Sequence, residues 1–128
     1  MHIKEVLGMQ QAEQFKMLGD TSRLRVLHLL FQRELCVCEV QALLGMSQSS
    51  ASRHLHRLKA AGFLTVEKRG QWTYYRLSDD FKNSQELLYR FLEQDTFAGE
   101  VFRKDREKML EKWEELSCEI LKEKQQEK

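Results

Sequence analysis

At 128 residues, with 41% hydrophobic and 32% charged residues, the chain is long enough for one domain with a modest core and too short for a separate catalytic domain. No apolar run approaches the ~18 residues of a membrane span, and acidic and amide residues break up the N-terminus where a secretory signal needs an apolar stretch, so a cytoplasmic protein with no membrane partner is expected. The net charge is only +1, yet residues 47–76 hold six cations (Arg53, Arg57, Lys59, Lys68, Arg69, Arg76) against one acid, Glu67, the footprint of a surface that lies on phosphates or else of a solvated charged face.

In chain order, the stretch Ile3–Leu18 carries Val6, Leu7, Phe15 and Leu18 among good helix formers and is broken by Gly19-Asp20. Asp20 or Thr21 is placed to cap a second helix that buries Leu24, Leu27, Leu30 and Phe31. A short third helix is expected over residues 38–44. Gly45-Met46-Ser47 then makes a tight turn, with Gly as the stop and Ser47 as the cap of a fourth helix over residues 48–61. After Gly62 the period changes. Residues 63–67 and 72–77 are rich in β-branched and aromatic side chains and read as two strands, with Lys68-Arg69-Gly70-Gln71 as the hairpin tip. From Ser84 the pattern is helical again, with a break near Gly99, and Met109, Trp113, Leu116 and Ile120 form a stripe suited to a partner subunit or to the chain's own core.

The third and fourth helices form a helix-turn-helix, whose second member needs an apolar back and a polar front to enter a major groove. Ala51, Leu55, Leu58 and Gly62 share one face of the fourth helix, while Ser49, Ser52, Arg53 and His56 lie opposite and Gln48 sits at the exposed N-terminal end. Arg53 can fork onto guanine, Gln48 can read adenine, and the serines can contact phosphate or base edges. Arg57 adds a cation to the same helix, and the hairpin offers Lys68 and Arg69 as a wing. His54 and His56 do not make a metal pair, because residues two apart on a helix point about 200° from each other.

On these residues the sequence resembles the ArsR/SmtB family of metal-responsive repressors. The resemblance rests on Leu18-Gly19-Asp20-Thr21-Ser22-Arg23-Leu24-Arg25-Val26-Leu27, Glu34-Leu35-Cys36-Val37-Cys38-Glu39-Val40, Ser47-Gln48-Ser49-Ser50-Ala51-Ser52-Arg53-His54-Leu55 and Ala61-Gly62-Phe63-Leu64. It implies a mainly α fold with a two-stranded β-hairpin, a homodimeric winged helix-turn-helix paired through its first and last helices. It also implies a partly palindromic double-stranded operator, released when a metal or metalloid binds. Residues 1–80 are then the DNA-binding domain with an N-terminal dimerisation helix, and residues 81–128 a helical extension that also dimerises. Thr21 stands where members often carry proline, a difference that touches capping alone.

Three cysteines, two of them at positions 36 and 38, are no disulfide framework; as thiols they are open to metals or oxidants. Within the family, Cys-Val-Cys at this place resembles the inducer site of arsenite and antimonite sensors and of some cadmium or lead sensors, and soft thiolates favour soft ions on their own chemistry. Such sensors often add a third cysteine where this chain has Gln41, which leaves Cys118 as the candidate third ligand beside Cys36 and Cys38. The N-terminal cysteines of cadmium and lead sensors are absent, and no histidine follows His56 to build a zinc site on the last helix. Trivalent arsenic or antimony is therefore the expected inducer, with another thiophilic ion as the alternative; no constitutive cofactor is expected. A redox regulator of the same fold, in which Cys36 or Cys38 is oxidised, is the second reading, and a helical protein-interaction adaptor is the third. No Cys-His or Ser-His constellation is legible, so an enzyme with an organic substrate is not expected.

Overall fold

The computed structural model describes residues 3–115, with side chains described from residue 8 onward. Seven α-helices and a three-stranded sheet follow in the order α1 (Ile3–Leu18), α2 (Thr21–Gln32), β1 (Leu35–Cys36), α3 (Val37–Leu44), α4 (Gln48–Ala60), β2 (Leu64–Arg69), β3 (Trp72–Leu77), α5 (Asp79–Ser84), α6 (Glu86–Gln94) and α7 (Glu100–Glu111). One-turn helices at Thr96–Ala98 and Trp113–Glu115 complete the described residues.

Local chemistry sets most of these boundaries. Asp20 caps α2 by accepting from the Arg23 amide at 3.0 Å, and Ser47 caps α4 by accepting from the Ser50 amide at 3.1 Å. Between α3 and α4, Gly45 adopts φ 65° and its N–H returns to the Gln41 carbonyl at 2.8 Å, a left-handed stop that glycine takes without steric cost. The hairpin β2–β3 turns through Gly70-Gln71, with φ 60° at Gly70 and a negative φ at Gln71, the pattern of a type II′ turn whose twist suits the flanking strands.

The sheet is antiparallel in the order β1-β3-β2. The hairpin expected from the sequence is present, and a third strand joins its β3 edge, with Leu35 opposite Tyr75 and Cys36 opposite Tyr74. A two-residue strand has no internal period, so only its partner reveals it.

One apolar cluster runs through the described residues. Val26, Leu27, Leu29 and Leu30 of α2 meet Val40 and Leu43 of α3, Ala51, Leu55 and Leu58 of α4, and Phe63 and Phe81 beyond it. Leu92, Phe97, Phe102 and Met109 join the same cluster, so residues after the wing pack onto α2 and α3. The Phe63 and Phe81 rings meet edge-on at 4.9 Å, and Phe97 packs against Phe31, His28 and Phe102 at centroid distances of 4.9 to 5.1 Å, geometries that the ring quadrupole favours.

Two readings of the C-terminal third change. The helical pattern begins at Asp79, where Ser78 caps α5 by accepting from the Phe81 amide at 3.2 Å. The stripe from Met109 does not continue as one helix: α7 ends at Glu111, Met109 is buried in the chain's own core, and Trp113 lies exposed in a separate turn. Leu116 and Ile120 lie outside the described residues.

Candidate DNA interface and thiol site

The DNA-facing candidate is α4. Its Ala51, Leu55 and Leu58 are 0% exposed, pinned against α2 and α3, while Gln48, Ser49, Ser52, Arg53, His56 and Arg57 are exposed. A helix of 3.6 residues per turn separates these sets onto opposite sides, and burial of the apolar set determines which side meets solvent. No acidic residue stands in the first turn, and Arg57 and Lys59 occupy the last, so the exposed side is uncharged at its start and cationic from Arg53 onward.

His54 turns inward. It is 8% exposed, and its Nδ1 has no hydrogen-bond partner among the described residues. Burial holds its pKa below the ordinary histidine value, against the pull of the Asp20 carboxylate. Arg23 lies in the same region, 6% exposed, and donates to the Met17 carbonyl at 3.0 Å.

On the wing, Lys68 projects exposed near the end of β2. Arg69 is exposed too, but its guanidinium is engaged. It forks onto Glu34 at 2.7 and 2.9 Å, donates to Glu67 at 2.8 Å, and lies 4.7 Å above the Tyr74 ring. Two carboxylates raise its pKa, hydrogen bonding to Glu34 first, and Arg69 in turn holds the Glu34 carboxyl below its usual range.

The thiols sit where β1 becomes α3. Cys36 is the N-cap of α3, in extended conformation and 2% exposed, and Cys38 is the second residue of the helix, half-buried. Their backbones therefore belong to different elements, one in a strand and one in a helical first turn. Glu39 closes the junction: it is 2% exposed and its Oε1 accepts from the Cys36 amide at 2.9 Å. Burial pushes the Glu39 carboxyl up, while the Cys36 amide pulls it down. This half of a capping box was readable from an acid three residues after the cap position, with cysteine standing where serine or threonine is usual.

The free thiol expected at position 36 is not what the structure has: Cys36 is engaged in a disulfide, and Cys38 is the free cysteine among the described residues. Cys118 lies outside them. Among the described residues no group of three or more His, Cys, Asp or Glu side chains is placed to hold a metal ion. No described helix is long and apolar enough to cross a membrane.

Away from α4, α1 and α6 carry apolar side chains in solvent: Met9 at 63% and Phe15 at 60% exposure, Leu87 at 84% and Phe91 at 56%. Gln14 of α1 and Gln85, the residue between α5 and α6, form a reciprocal amide pair, each bond 2.7 Å, and Gln14 also donates to the Ala61 carbonyl at the end of α4. Four large apolar side chains this exposed on two helices make α1 and α6 the candidates for an interaction surface.

A family model described as bacterial regulatory protein, arsR family, matches residues 20–66, from the cap of α2 to the middle of β2. The "Arsenic resistance transcriptional regulator ArsR1" of Pseudomonas putida is 44% identical over 77 residues, a match spanning 59% of this chain and 59% of that protein, so the chain aligns with under two thirds of that relative's length. The "Arsenical resistance operon repressor" of Bacillus subtilis is 38% identical over 92 residues, 69% of this chain and 88% of that protein. Among solved structures, a homodimeric winged helix-turn-helix DNA-binding domain from Mycobacterium bovis, described as a possible ArsR-family regulator, superposes with a TM-score of 0.57 at 29% identity, covering 70% of this chain and 88% of that one. With a winged helix-turn-helix fold and relatives matching along α2 to β2, the chain belongs to the arsR family of bacterial regulatory proteins.

Proposed function

We propose that this chain is a transcriptional repressor that binds a partly palindromic operator as a homodimer and, once a thiol reductant has opened the Cys36 disulfide, leaves the operator when trivalent arsenic or antimony binds the thiolates of Cys36 and Cys38. One observation carries the reading. The exposed side of α4 presents Gln48, Ser49, Ser52, Arg53, His56 and Arg57, and the thiol-bearing junction opens the helix that braces α4. Arg53 and Gln48 read base edges, the serines and His56 contact bases or phosphates, and Arg57 and Lys68 neutralise phosphates. Met9, Phe15, Leu87 and Phe91 form the dimer surface, the arrangement that would place two copies of α4 on successive half-sites.

Inducer release follows from the strand-to-helix position of the thiols. Drawing both sulfurs onto one ion pulls a strand residue and a first-turn helical residue together. That movement strains the cap of α3 and, through α3, the seat of α4. The ion lowers DNA affinity by no more than its preference for the strained form. Cys118 is carried in this proposal as a candidate third ligand.

Fluorescence anisotropy of labelled operator, with arsenite and antimonite titrated in, tests the proposal. Cys36→Ser and Cys38→Ser are expected to bind operator as the wild type does and to stay bound in the presence of either ion. Retained release in both variants would overturn the thiolate site, and operator affinity insensitive to salt would overturn the DNA reading itself.

The disulfide at Cys36 favours a second reading, in which oxidation of Cys36 is the signal. Peptide mapping of the oxidised protein identifies its partner sulfur. Release by peroxide without any metalloid, reversed by a dithiol reductant, would select this reading over the first.

A further inference from the structure

The ion pair between Glu34 and Arg69 belongs neither to the core nor to the DNA-facing side of α4. Glu34 stands two residues before Cys36, in the segment joining α2 to β1, and Arg69 is the last residue of β2 at the wing tip. The guanidinium meets both Glu34 oxygens, at 2.7 and 2.9 Å, in the planar fork that arginine alone offers a carboxylate. Beneath it lies Tyr74, whose ring is 4.7 Å from the guanidinium carbon. Tyr74 is also the register partner of Cys36 on one side and of Glu67 on the other. Cys36, Tyr74 and Glu67 thus make one row across the sheet, and Arg69 spans that row from Glu67 to Glu34. The thiol strand and the wing tip are joined twice, by the β1–β3 ladder below and by a three-carboxylate-oxygen grip on one guanidinium above.

We propose that Glu34 is a positioning residue for the sensor: by holding Arg69 across Tyr74 it makes the wing follow the strand that carries Cys36, so that chemistry at the thiols reaches the wing as well as α4. The inference rests on the thiol-sensing reading above. A shift of β1 large enough to bring Cys36 toward Cys38 moves Glu34, two residues away on the same extended segment. The fork either drags the wing tip with it or breaks. Either outcome changes the wing from the position it holds before the ion binds. Because Arg69 is occupied by Glu34 and Glu67, Lys68 is the wing cation left to meet phosphate in this arrangement.

The test measures operator affinity with and without antimonite for wild type, Glu34→Gln, Arg69→Gln and the double variant, by anisotropy at fixed salt. The quantity read is the fold-loss of affinity that antimonite causes. Glu34→Gln, at a half-buried position away from the DNA-facing side of α4, is expected to fold and to bind operator without antimonite within about fivefold of wild type, and Arg69→Gln is compared with it through the antimonite response. In each, the antimonite-driven loss is expected to shrink by about threefold to fivefold, and the double variant should shrink it no further, since one latch cannot be broken twice. Arg69→Gln should also leave the slope of log affinity against log salt unchanged, because its charge is spent on carboxylates. A wild type that responds beside a Glu34→Gln that responds equally would overturn the latch alone, as would additive single effects or a slope reduced by about one in Arg69→Gln. A wild type indifferent to antimonite would overturn the sensing reading and the latch with it.

Discussion

Arg25 of α2 grips Asp105 of α7 with two parallel hydrogen bonds, each 2.9 Å, across 80 residues of sequence. Asp105 is almost fully enclosed, while about a third of the Arg25 side chain remains in solvent. The pair fastens the last described helix to the helix that carries much of the core.

The two ends of this pair are unequal, and so are the costs of removing them. Arg25→Ala leaves a carboxylate enclosed without its partner, an arrangement that costs about 3 kcal/mol. Asp105→Asn leaves a guanidinium that can turn to water and keeps a hydrogen-bonding group in place, at about 1 kcal/mol. Urea unfolding of the two variants checks the order. Equal losses would show that solvent screens Asp105 as well as it screens Arg25.

His28 supplies a pH dependence with a defined sign. The ring is fully buried, Nε2 lies 2.9 Å from the Arg106 guanidinium, and Nδ1 has no partner among the described residues. Burial first, then the Arg106 charge, lowers its pKa to about 4. The unfolded chain binds a proton near the ordinary histidine value of 6.5 and the folded one only near 4. Stability from the neutral ring is therefore complete above 6.5 and drains away as pH falls toward 4. Between pH 7.5 and pH 5 the loss from this group is about 2 kcal/mol. His28→Gln, which cannot titrate, should lose about that much less over the same interval, as read by urea midpoints at the two pH values.

Gly8 and Gly45 meet the same steric test with opposite outcomes. A Cβ at either would find nothing within 4 Å, so space does not decide. Gly8 lies inside α1, where alanine is preferred to glycine by up to about 1 kcal/mol, and Gly8→Ala should stabilise. Gly45 holds φ 65° at the stop of α3, and Gly45→Ala should cost about 1 kcal/mol. Because Gly45 shapes the turn that aims α4, its variant should weaken operator binding as well; thermal melts beside anisotropy read both.

On the DNA side, Arg53→Ala and Lys68→Ala are expected to fail in different ways. Arg53 stands on the exposed side of α4, so its loss should cost about 1–3 kcal/mol on the preferred operator and relax discrimination at one base pair. Lys68, a wing cation, should weaken all sequences alike and reduce the salt slope by about 0.9. Competition binding with operators altered one base pair at a time separates the two.

Much of the architecture was legible because it is local. Ser47 and Gly45 announce the turn before α4 by cap chemistry, and Ala51, Leu55 and Leu58 mark its buried side by spacing alone. The inward turn of His54 follows from that same spacing, three positions after Ala51 and four before Leu58. Ser78-Asp79-Asp80 carried an equally local cap signal for α5 that a reading begun at Ser84 passes over. The strand at Leu35–Cys36 was not legible. Two residues hold no period, and its partners lie 38 to 40 positions downstream in β3. The fold-back of Met109 into the core was equally hidden, since an apolar stripe on a helix reads the same whether its partner is another subunit or α2 and α3.

From its residues alone, this protein was determined to be a helix-turn-helix with a wing and a thiol pair beside it, because caps, glycine stops and the spacing of apolar side chains act over a few residues. Only the tertiary structure decided that Cys36 belongs to a strand and Cys38 to a helix, and that Arg69 is held by Glu34. Those are meetings of residues distant in the chain, and the packing that brings them within 3 Å leaves no mark on either residue's neighbours in sequence.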